Sequence, residues 1–436
     1  MDSLALVHPL EEDWRDALDR VARSRGWPTS RDVAKLAARV VQLSAAYNDP
    51  TRARAAMREA GPARLGFSFA RDVPKAAAAV RELVGAGVLP LDRPLRVLDL
   101  GAGLGASTWG LARALKAAGA TGGVDATWVD TDAEALELGA ALLRVRAGAA
   151  DAVEVRLESR AGALGSASGL GRFDVVLLGQ VLSELDVASP DEVRLLLHVE
   201  LVRSLLLDRC TEDGSGGALV VIEPALRDRA RHLHRVRDAL AATGMPVFAP
   251  CLHSAACPAL ARETDWCHED LEVDLPAWLW PVARAAGLRR EGLTFSYLVL
   301  HRGGRRLVDA LASPGAPSAG ATPVHPPAPA DVHPPPPASA PARLRVVSEE
   351  IRTKGKREAF VCGECTGPDG PLAARVRLMR LDRDANPGNA AWDQLKRGDV
   401  ALVAPTPELA RPRIGSATTV ERAILVPGGA GGAESR

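Results

Sequence analysis

The sequence predicts an α/β protein with a mostly parallel central sheet, an N-terminal helical region and a small C-terminal β-rich domain. Three observations support this fold class. Up to about residue 90, apolar residues recur only at helical spacing. From Leu95 onward, short apolar runs alternate with helical stretches, which is the pattern of a parallel sheet covered on both faces. Beyond a Pro-rich stretch, only short strand-like runs remain.

The chain has 436 residues, which is more than one ordinary hydrophobic core accommodates. A change of pattern or composition marks each expected boundary. We expect a helical N-terminal region at 1–90, an α/β domain at 91–310 that includes a cysteine loop at 250–268, a Pro-rich linker at 311–342, a β-rich domain at 343–427 and a disordered tail at 428–436.

The elements follow in chain order. In the first region, one helical stripe consists of Val33, Leu36, Val40, Leu43 and Tyr47. The second region alternates strands with helices, in the order "LRVLDL", "ASTWGLARALKAAG", "ATWVD", "AEALELGAALL", "RFDVVLLG", "PDEVRLLLHVELVRSLLLDR", "GALVVIEP" and a late strand "FSYLVLHR". The last region reads as the strands "RLRVVSEE", "REAFVCGE", "ARVRLMRLD" and "GDVALVAPT".

The overall composition is that of a globular protein, with 47% hydrophobic and 25% charged residues. A net charge of zero provides no global basic field for nucleic acid. The N-terminus "MDSLALVHPLEEDWRDAL" has acidic residues where a signal peptide needs a basic and then an apolar segment, and no apolar run is long enough to cross a bilayer. We therefore expect a cytoplasmic monomer without a membrane partner, in which thiols stay reduced and clustered cysteines favour a metal over disulfides.

A glycine-rich turn follows the first strand of the sheet. In "VLDLGAGLG", Asp99 ends the strand, and Gly101, Gly103 and Gly105 allow the backbone to approach a ligand closely. Asp130 ends the next strand, where an acid can accept both hydroxyls of a ribose. The glycines alone fit any dinucleotide or phosphate binder.

This turn resembles the first motif of class I methyltransferases, which bind S-adenosylmethionine. The resemblance implies that Gly101 and Gly103 line the methionine portion, that Asp130 binds the ribose and that Asp99 helps to place the amino group. After the fourth strand, "LLGQVLSEL" matches the position where the family turns Gln180 and Val181 toward the cofactor. Together with Gly105, these residues form the expected cofactor site. No catalytic residue is assigned, because the sequence lacks both an "NPPY"-like tetrad and a suitably placed cysteine nucleophile.

Five of the six cysteines concentrate in two places. Cys251, Cys257 and Cys267 lie in "CLHSAACPALARETDWC", and Cys362 and Cys365 lie in "FVCGEC". Three clustered thiols and a remote fourth suit either a tetrahedral zinc ion or a cubane iron–sulfur cluster. The adjacent His253 and His268 are alternative ligands, whereas Cys210, at the end of a helix, is expected to be a buried apolar residue.

The segments "APCLHSAACP", "DWCHED" and "LTFSYLVLHR" resemble a family of methyltransferase-like proteins associated with assembly of the small ribosomal subunit. The resemblance implies a 4Fe–4S cluster held by Cys251, Cys257, Cys267 and a C-terminal cysteine. Cys362 is favoured because "KGKREAFVCG" is similar to the family's basic run, strand and last cysteine; Cys365 is the alternative. Such a cluster would tie two domains together, which indicates a structural role. The chain departs from the family motifs at Leu252, Glu269 and Thr294.

The resulting hypothesis is an S-adenosylmethionine-binding, iron–sulfur protein that acts on the small ribosomal subunit or its rRNA precursor. The Arg-rich stretches at 227–238 and 352–358 are candidate phosphate contacts, or else solvated faces. The alternative is an active small-molecule or protein methyltransferase with a structural zinc site and no ribosomal role. A radical enzyme is disfavoured, because the required three-cysteine spacing is absent.

Overall fold

The computed structural model describes residues 3–48, 60–212, 216–312, 341–368 and 370–425. Almost all of the expected Pro-rich linker, and the expected tail at 428–436, lie outside these ranges. The α-helices are α1 Glu12–Ser24, α2 Val33–Asn48, α3 Phe69–Gly85, α4 Ala106–Ala117, α5 Ala133–Val145, α6 Asp191–Arg209, α7 Arg227–Ala242 and α8 Trp280–Ala285. A short helical turn, Gly61–Ala63, and a π-helical turn, Arg64–Ser68, lead into α3.

The strands of the first sheet are β1 Leu95–Leu100, β2 Val124–Asp130, β3 Val155–Ala161, β4 Val175–Gly179, β5 Ala218–Glu223, β6 Val247–Ala249, β7 Glu269–Leu271 and β8 Leu293–His301. Their order is β3-β2-β1-β4-β5-β8-β6, with β7 paired to β8. Strands β1 to β5 are parallel, and β8 runs antiparallel to β5. This is the sheet of the class I methyltransferases, so the predicted fold class is confirmed.

The two faces of the sheet carry different helices. Because successive side chains of a strand point to opposite faces, Val97 of β1 packs with the N-terminal helices, α3, α4 and α5, whereas Leu98 packs with α6 and α7. The N-terminal region is therefore a layer of the main core. Within it, the Trp14 ring stands edge-on to Trp109 with centroids 4.8 Å apart. Leu36, Val40 and Leu43 of the expected stripe are buried.

Strand β3 was not anticipated from the sequence. Its side chains are mostly exposed or half-exposed, and they form surface ion pairs, such as Arg156 with Asp125 at 2.6 Å and Arg160 with Glu158 at 2.6 Å. An edge strand needs only one apolar face and is protected from aggregation by charge. The sequence "VEVRLESR" at 153–160 alternates apolar or small residues with charged ones, which is the two-residue period of a half-buried strand, and this signal was missed.

The C-terminal β-rich region comprises β10 Ala342–Val346, β11 Ile351–Thr353, β12 Lys356–Gly367, β13 Gly370–Leu381, β14 Val400–Ala404, β15 Arg413–Ile414 and β16 Thr419–Arg422. Its order is β15-β13-β12-β10-β14-β16, with β11 paired to β12, and the long β12–β13 hairpin forms its centre. Two further strands, β9 Leu311–Ala312 and β17 Ile424–Leu425, pair with each other and lie against the main core. In the ranges that the structure describes, no helix is both long and apolar enough to cross a membrane.

A buried polar network joins the β-rich region to the methyltransferase-like sheet. Arg345 of β10 donates to Glu82 of α3 at 2.6 Å, and the hydroxyl of Tyr297 on β8 donates to the second carboxylate oxygen at 2.8 Å. Arg81 donates to Glu269 at 3.2 Å and also lies over the Tyr297 ring. Glu269, one of the departures from the family motifs, thus has a buried guanidinium partner.

Candidate cofactor cleft and cysteine cavity

The glycine-rich turn adopts backbone conformations that favour glycine. Gly101, Gly103 and Gly105 have φ angles of 68°, 52° and 78°. A methyl group on Gly105 would lie 2.1 Å from the Trp128 ring, and one on Gly101 would lie 2.6 Å from Val181. The turn therefore needs glycine both for its conformation and for close packing.

Asp130, at the end of β2, is hydrogen-bonded to the glycine-rich turn. Its Oδ2 accepts from the Gly103 amide at 2.7 Å, and its Oδ1 accepts from the Asp132 amide at 2.8 Å. A carboxylate has about four acceptor sites. Capacity for ribose hydroxyls therefore remains after these two bonds.

Asp99 is completely buried beneath the turn. Its Oδ2 accepts from the Thr108 amide at 3.1 Å and from the Thr108 hydroxyl at 2.7 Å, which holds the start of α4. Its Oδ1 has no hydrogen-bond partner among the described residues. Burial raises the pKa of Asp99 to about 7. One acceptor atom thus remains for a ligand amino group or a water molecule.

The segment after β4 closes the other side of the cleft. Gln180 has a φ of 62°, which is uncommon outside glycine and is characteristic of functional sites. Val181 packs against Gly101. The buried Glu223 at the end of β5 accepts from the amides of Leu182 and Ser183 at 2.9 and 3.2 Å, and burial raises its pKa to about 7.

A separate cavity of about 40 Å³ lies between the methyltransferase-like sheet and the β-rich region. Cys251, Cys257, Cys267 and Cys362 all line it, together with the guanidinium-bearing Arg237 and Arg375. Three of these thiols come from the loop between β6 and β7, and the fourth comes from β12. The fold thus brings residues that are distant in sequence to one small volume.

Cys362 and Cys365 lie on opposite faces of β12, because they are three positions apart and successive side chains of a strand alternate between its faces. Cys362 faces the cavity, with its Sγ 3.7 Å from Nε2 of His253. Cys365 is completely buried within the core of the β-rich region. Cys210 is likewise buried in an apolar cluster, beside the sheet.

Helix α7 holds the cysteine loop through its polar side chains. Arg231 donates to the carbonyl oxygens of Asp265 and Arg262 at 2.6 and 2.7 Å. Asp238 accepts from the Cys257 amide at 2.8 Å, and His234 accepts from the Cys267 amide at 3.0 Å. The loop conformation is therefore set by the helix rather than by its own secondary structure.

Desolvation raises the pKa of three cavity thiols, those of Cys257, Cys267 and Cys362. The pKa is about 11 for Cys257 and about 12 for Cys267, through burial first and then through the neighbouring thiols. For Cys362 the pKa is also well above its usual value, for the same reasons. Four thiolates at this position need added positive charge, such as a metal supplies.

The two histidines of the loop differ in position. His253 lines the cavity, whereas His268 stacks on Trp266 and lies 3.3 Å from a guanidinium nitrogen of Arg397. Among the described residues, no group of three or more His, Cys, Asp or Glu side chains is arranged to hold a single metal ion.

Comparison with models of known protein families identifies the family of this chain. Residues 77–362 match the family model described as "Mitochondrial small ribosomal subunit Rsm22". The chain belongs to the Rsm22 family. The range that matches begins in α3 and ends at Cys362, so it includes the glycine-rich turn and all four cysteines of the cavity.

The solved structures with some similarity to this Rsm22-family chain include methyltransferases. The plantazolicin methyltransferase BpumL, in complex with SAH, has a TM-score of 0.33 and 10% identity and covers 62% of this chain and 98% of its own. The precorrin-6y C5,15-methyltransferase from Geobacter metallireducens GS-15 has a TM-score of 0.29 and 14% identity and covers 51% and 88%. A search of curated proteins found no significant match.

The two Arg-rich stretches of this Rsm22-family chain have different surroundings. In 227–238, Arg231, Arg235 and Arg237 all bind protein groups, so these three side chains are not a free phosphate-binding face. In 352–358, Arg352 and Lys354 are exposed on the β11–β12 hairpin.

Two further groups of the cofactor cleft were missed by sequence reasoning. Arg64, from the π-helical turn, lies against Gly103, and the Glu184 carboxylate is close enough to interact electrostatically with Arg64 and Asp130. Arg64 precedes the sheet by about thirty residues and belongs to no motif, and so no sequence signal indicated it.

Proposed function

We propose that this chain is an S-adenosylmethionine-binding, 4Fe–4S-containing protein that acts in assembly or modification of the small ribosomal subunit. The observation that carries the proposal is the set of four thiols, from two parts of the fold, around one cavity beside a methyltransferase sheet. The class I methyltransferase topology of the sheet supports the proposed cofactor cleft. Membership of the Rsm22 family supports the proposed ribosomal partner.

Two features of the cavity, its volume and its two guanidinium groups, support a cluster over zinc. Cys251, Cys257, Cys267 and Cys362 form an all-sulfur donor set. Zinc with four thiolates at about 2.3 Å leaves no further space to fill. The cavity, at about 40 Å³, exceeds the roughly 10–15 Å³ that one water-sized group needs. Arg237 and Arg375 add positive charge beside an anionic centre. The cluster would cross-link the sheet to the β-rich region.

The cofactor cleft would hold S-adenosylmethionine by the following groups. The Asp130 carboxylate would accept the ribose hydroxyls, and the free Oδ1 of Asp99 would receive the amino group, directly or through water. The methyl group would then need only alignment with an acceptor, because proximity supplies much of the rate in such a transfer. No side chain is assigned as a general base.

Calorimetry with S-adenosylhomocysteine tests the cofactor site without requiring catalysis. We expect binding by the intact holoprotein and a loss of affinity of at least about 10-fold in Asp130→Ala, because each hydrogen bond to a charged group is worth about 1.5–3 kcal/mol. Asp125→Ala is the matched control: it lies on the same strand but pairs with the exposed Arg156. No binding by the intact protein, or equal affinity in both variants, would contradict the assignment.

Sedimentation with small ribosomal subunits tests the partner. We expect the holoprotein to co-sediment with small subunits or their precursors at low salt and to dissociate as salt rises, since phosphate contacts release counterions. Replacing Arg352 and Lys354 together by alanine should weaken this association, because both are exposed on one hairpin. Failure to co-sediment at low salt would favour the alternative, a methyltransferase with no ribosomal role.

A further inference from the structure

Arg64 occupies a distinctive place in the chain. It begins the π-helical turn Arg64–Ser68, which joins the short turn at Gly61–Ala63 to α3. Such turns are rare and frequently mark functional sites. The side chain is largely buried, with 19% of its surface exposed. It extends away from the N-terminal layer, toward the glycine-rich turn.

The guanidinium lies on the face of the turn that a cofactor would approach. A methyl group built on Gly103 would stand 2.7 Å from Nη2 of Arg64 and 4.0 Å from Oδ2 of Asp130. The second glycine of such a motif is required because ligand and backbone come into close contact there. A cofactor bound against this glycine would therefore compete with the guanidinium for one position.

Carboxylates hold Arg64 in this position. Nη1 donates to Oδ2 of Asp132 at 2.8 Å, and Asp130 and Glu184 lie near enough to attract the same charge. Asp132 also caps α5, through Oδ1 and the Ala135 amide at 3.0 Å. The cation is thus placed where the nucleoside end of the cleft is most acidic.

We propose that Arg64 is a latch that closes the nucleoside end of the cofactor cleft and must leave Asp132 before S-adenosylmethionine binds. This inference rests on the proposed cofactor site. A partly exposed ion pair contributes little free energy, so the latch opens at small cost. The latch also couples cofactor binding to the position of the N-terminal helical layer, because Arg64 leads directly into α3.

Calorimetry with S-adenosylhomocysteine on the intact holoprotein tests the latch. Arg64→Ala should bind the ligand about three- to tenfold more tightly than the unmodified chain, because no ion pair has to be broken first. Asp132→Asn should show an increase in the same direction, since asparagine preserves the helix cap while removing the charge. Arg25→Ala is the matched control, because Arg25 also links the N-terminal layer to α5, through Glu137 at 3.6 Å.

The outcomes separate the latch from the cofactor site itself. Binding by the unmodified chain tests the cofactor site, whereas the ratio between Arg64→Ala and the unmodified chain tests the latch. Weaker or unchanged binding in Arg64→Ala, with Asp132→Asn also unchanged and both variants folded by thermal melting, would overturn the latch. Absence of binding in every variant would overturn both proposals.

Discussion

Replacing Cys362 by alanine is expected to prevent assembly of the proposed cluster and to weaken the attachment of the β-rich region to the methyltransferase-like sheet. Of the four thiols that line the cavity, Cys362 comes from the β-rich region, whereas the other three belong to the loop between β6 and β7. A cross-link that closes a loop of roughly 100 residues stabilises a fold by about 4–5 kcal/mol. We expect a loss of similar size in the free energy of unfolding, together with loss of bound iron.

Cys365→Ala provides a control on the same strand. Cys365 faces the core of the β-rich region, away from the cavity, so its replacement should cost about 1 kcal/mol and leave the iron content unchanged. Both variants are measured by metal analysis and denaturant unfolding after anaerobic purification. Retention of iron in Cys362→Ala with its loss in Cys365→Ala would make Cys365 the fourth ligand and contradict the cavity assignment.

Replacing Arg345 by alanine is expected to destabilise the chain by about 3–5 kcal/mol, because it leaves the buried Glu82 without its principal counter-charge. Burial on its own would raise the pKa of Glu82, but the guanidinium groups of Arg345 and Arg81 lower it overall. The carboxylate is therefore ionised in the folded chain at neutral pH. Denaturant unfolding measures the loss, and proteolysis between the two parts of the fold detects undocking.

Two further variants make the Arg345 experiment specific. Arg352→Ala removes an exposed β11 side chain that is paired with Glu350 at 3.2 Å, and it should change stability by at most about 0.5 kcal/mol. Adding Glu82→Gln to Arg345→Ala removes the unpaired charge and should recover part of the loss. If Arg345→Ala were no more harmful than Arg352→Ala, the network would not hold the two parts together.

Much of the fold followed from the sequence because the central parallel strands are mostly apolar. β4 is a continuous apolar run, β5 is apolar up to Glu223, and β1 is interrupted only by Arg96 and Asp99. By contrast, β3 is an edge strand with exposed charges, and β6 and β7 are strands of three residues. Their pairing depends on neighbours that are distant in sequence, and a local pattern does not carry that information.

The residues of the candidate sites could be predicted where they belong to short sequence motifs. The glycines, Asp130 and the loop cysteines could be named because their residue types and spacing are unusual. Arg237 could not, since an arginine in "RDRARHLHRVRD" has the same local pattern whether it meets RNA or a buried cavity. The ion pairs of Arg64 with Asp132 and of Arg81 with Glu269 could not be predicted either, because in each pair the two residues are distant in sequence.

The most direct measurement is iron and acid-labile sulfide analysis of the intact protein after anaerobic purification. We expect about four iron atoms and four sulfides per chain, as a cubane held by four cysteines requires. Stoichiometric zinc without labile sulfide, or a chain that folds fully with neither metal nor sulfide, would contradict the assignment of the cysteine cavity.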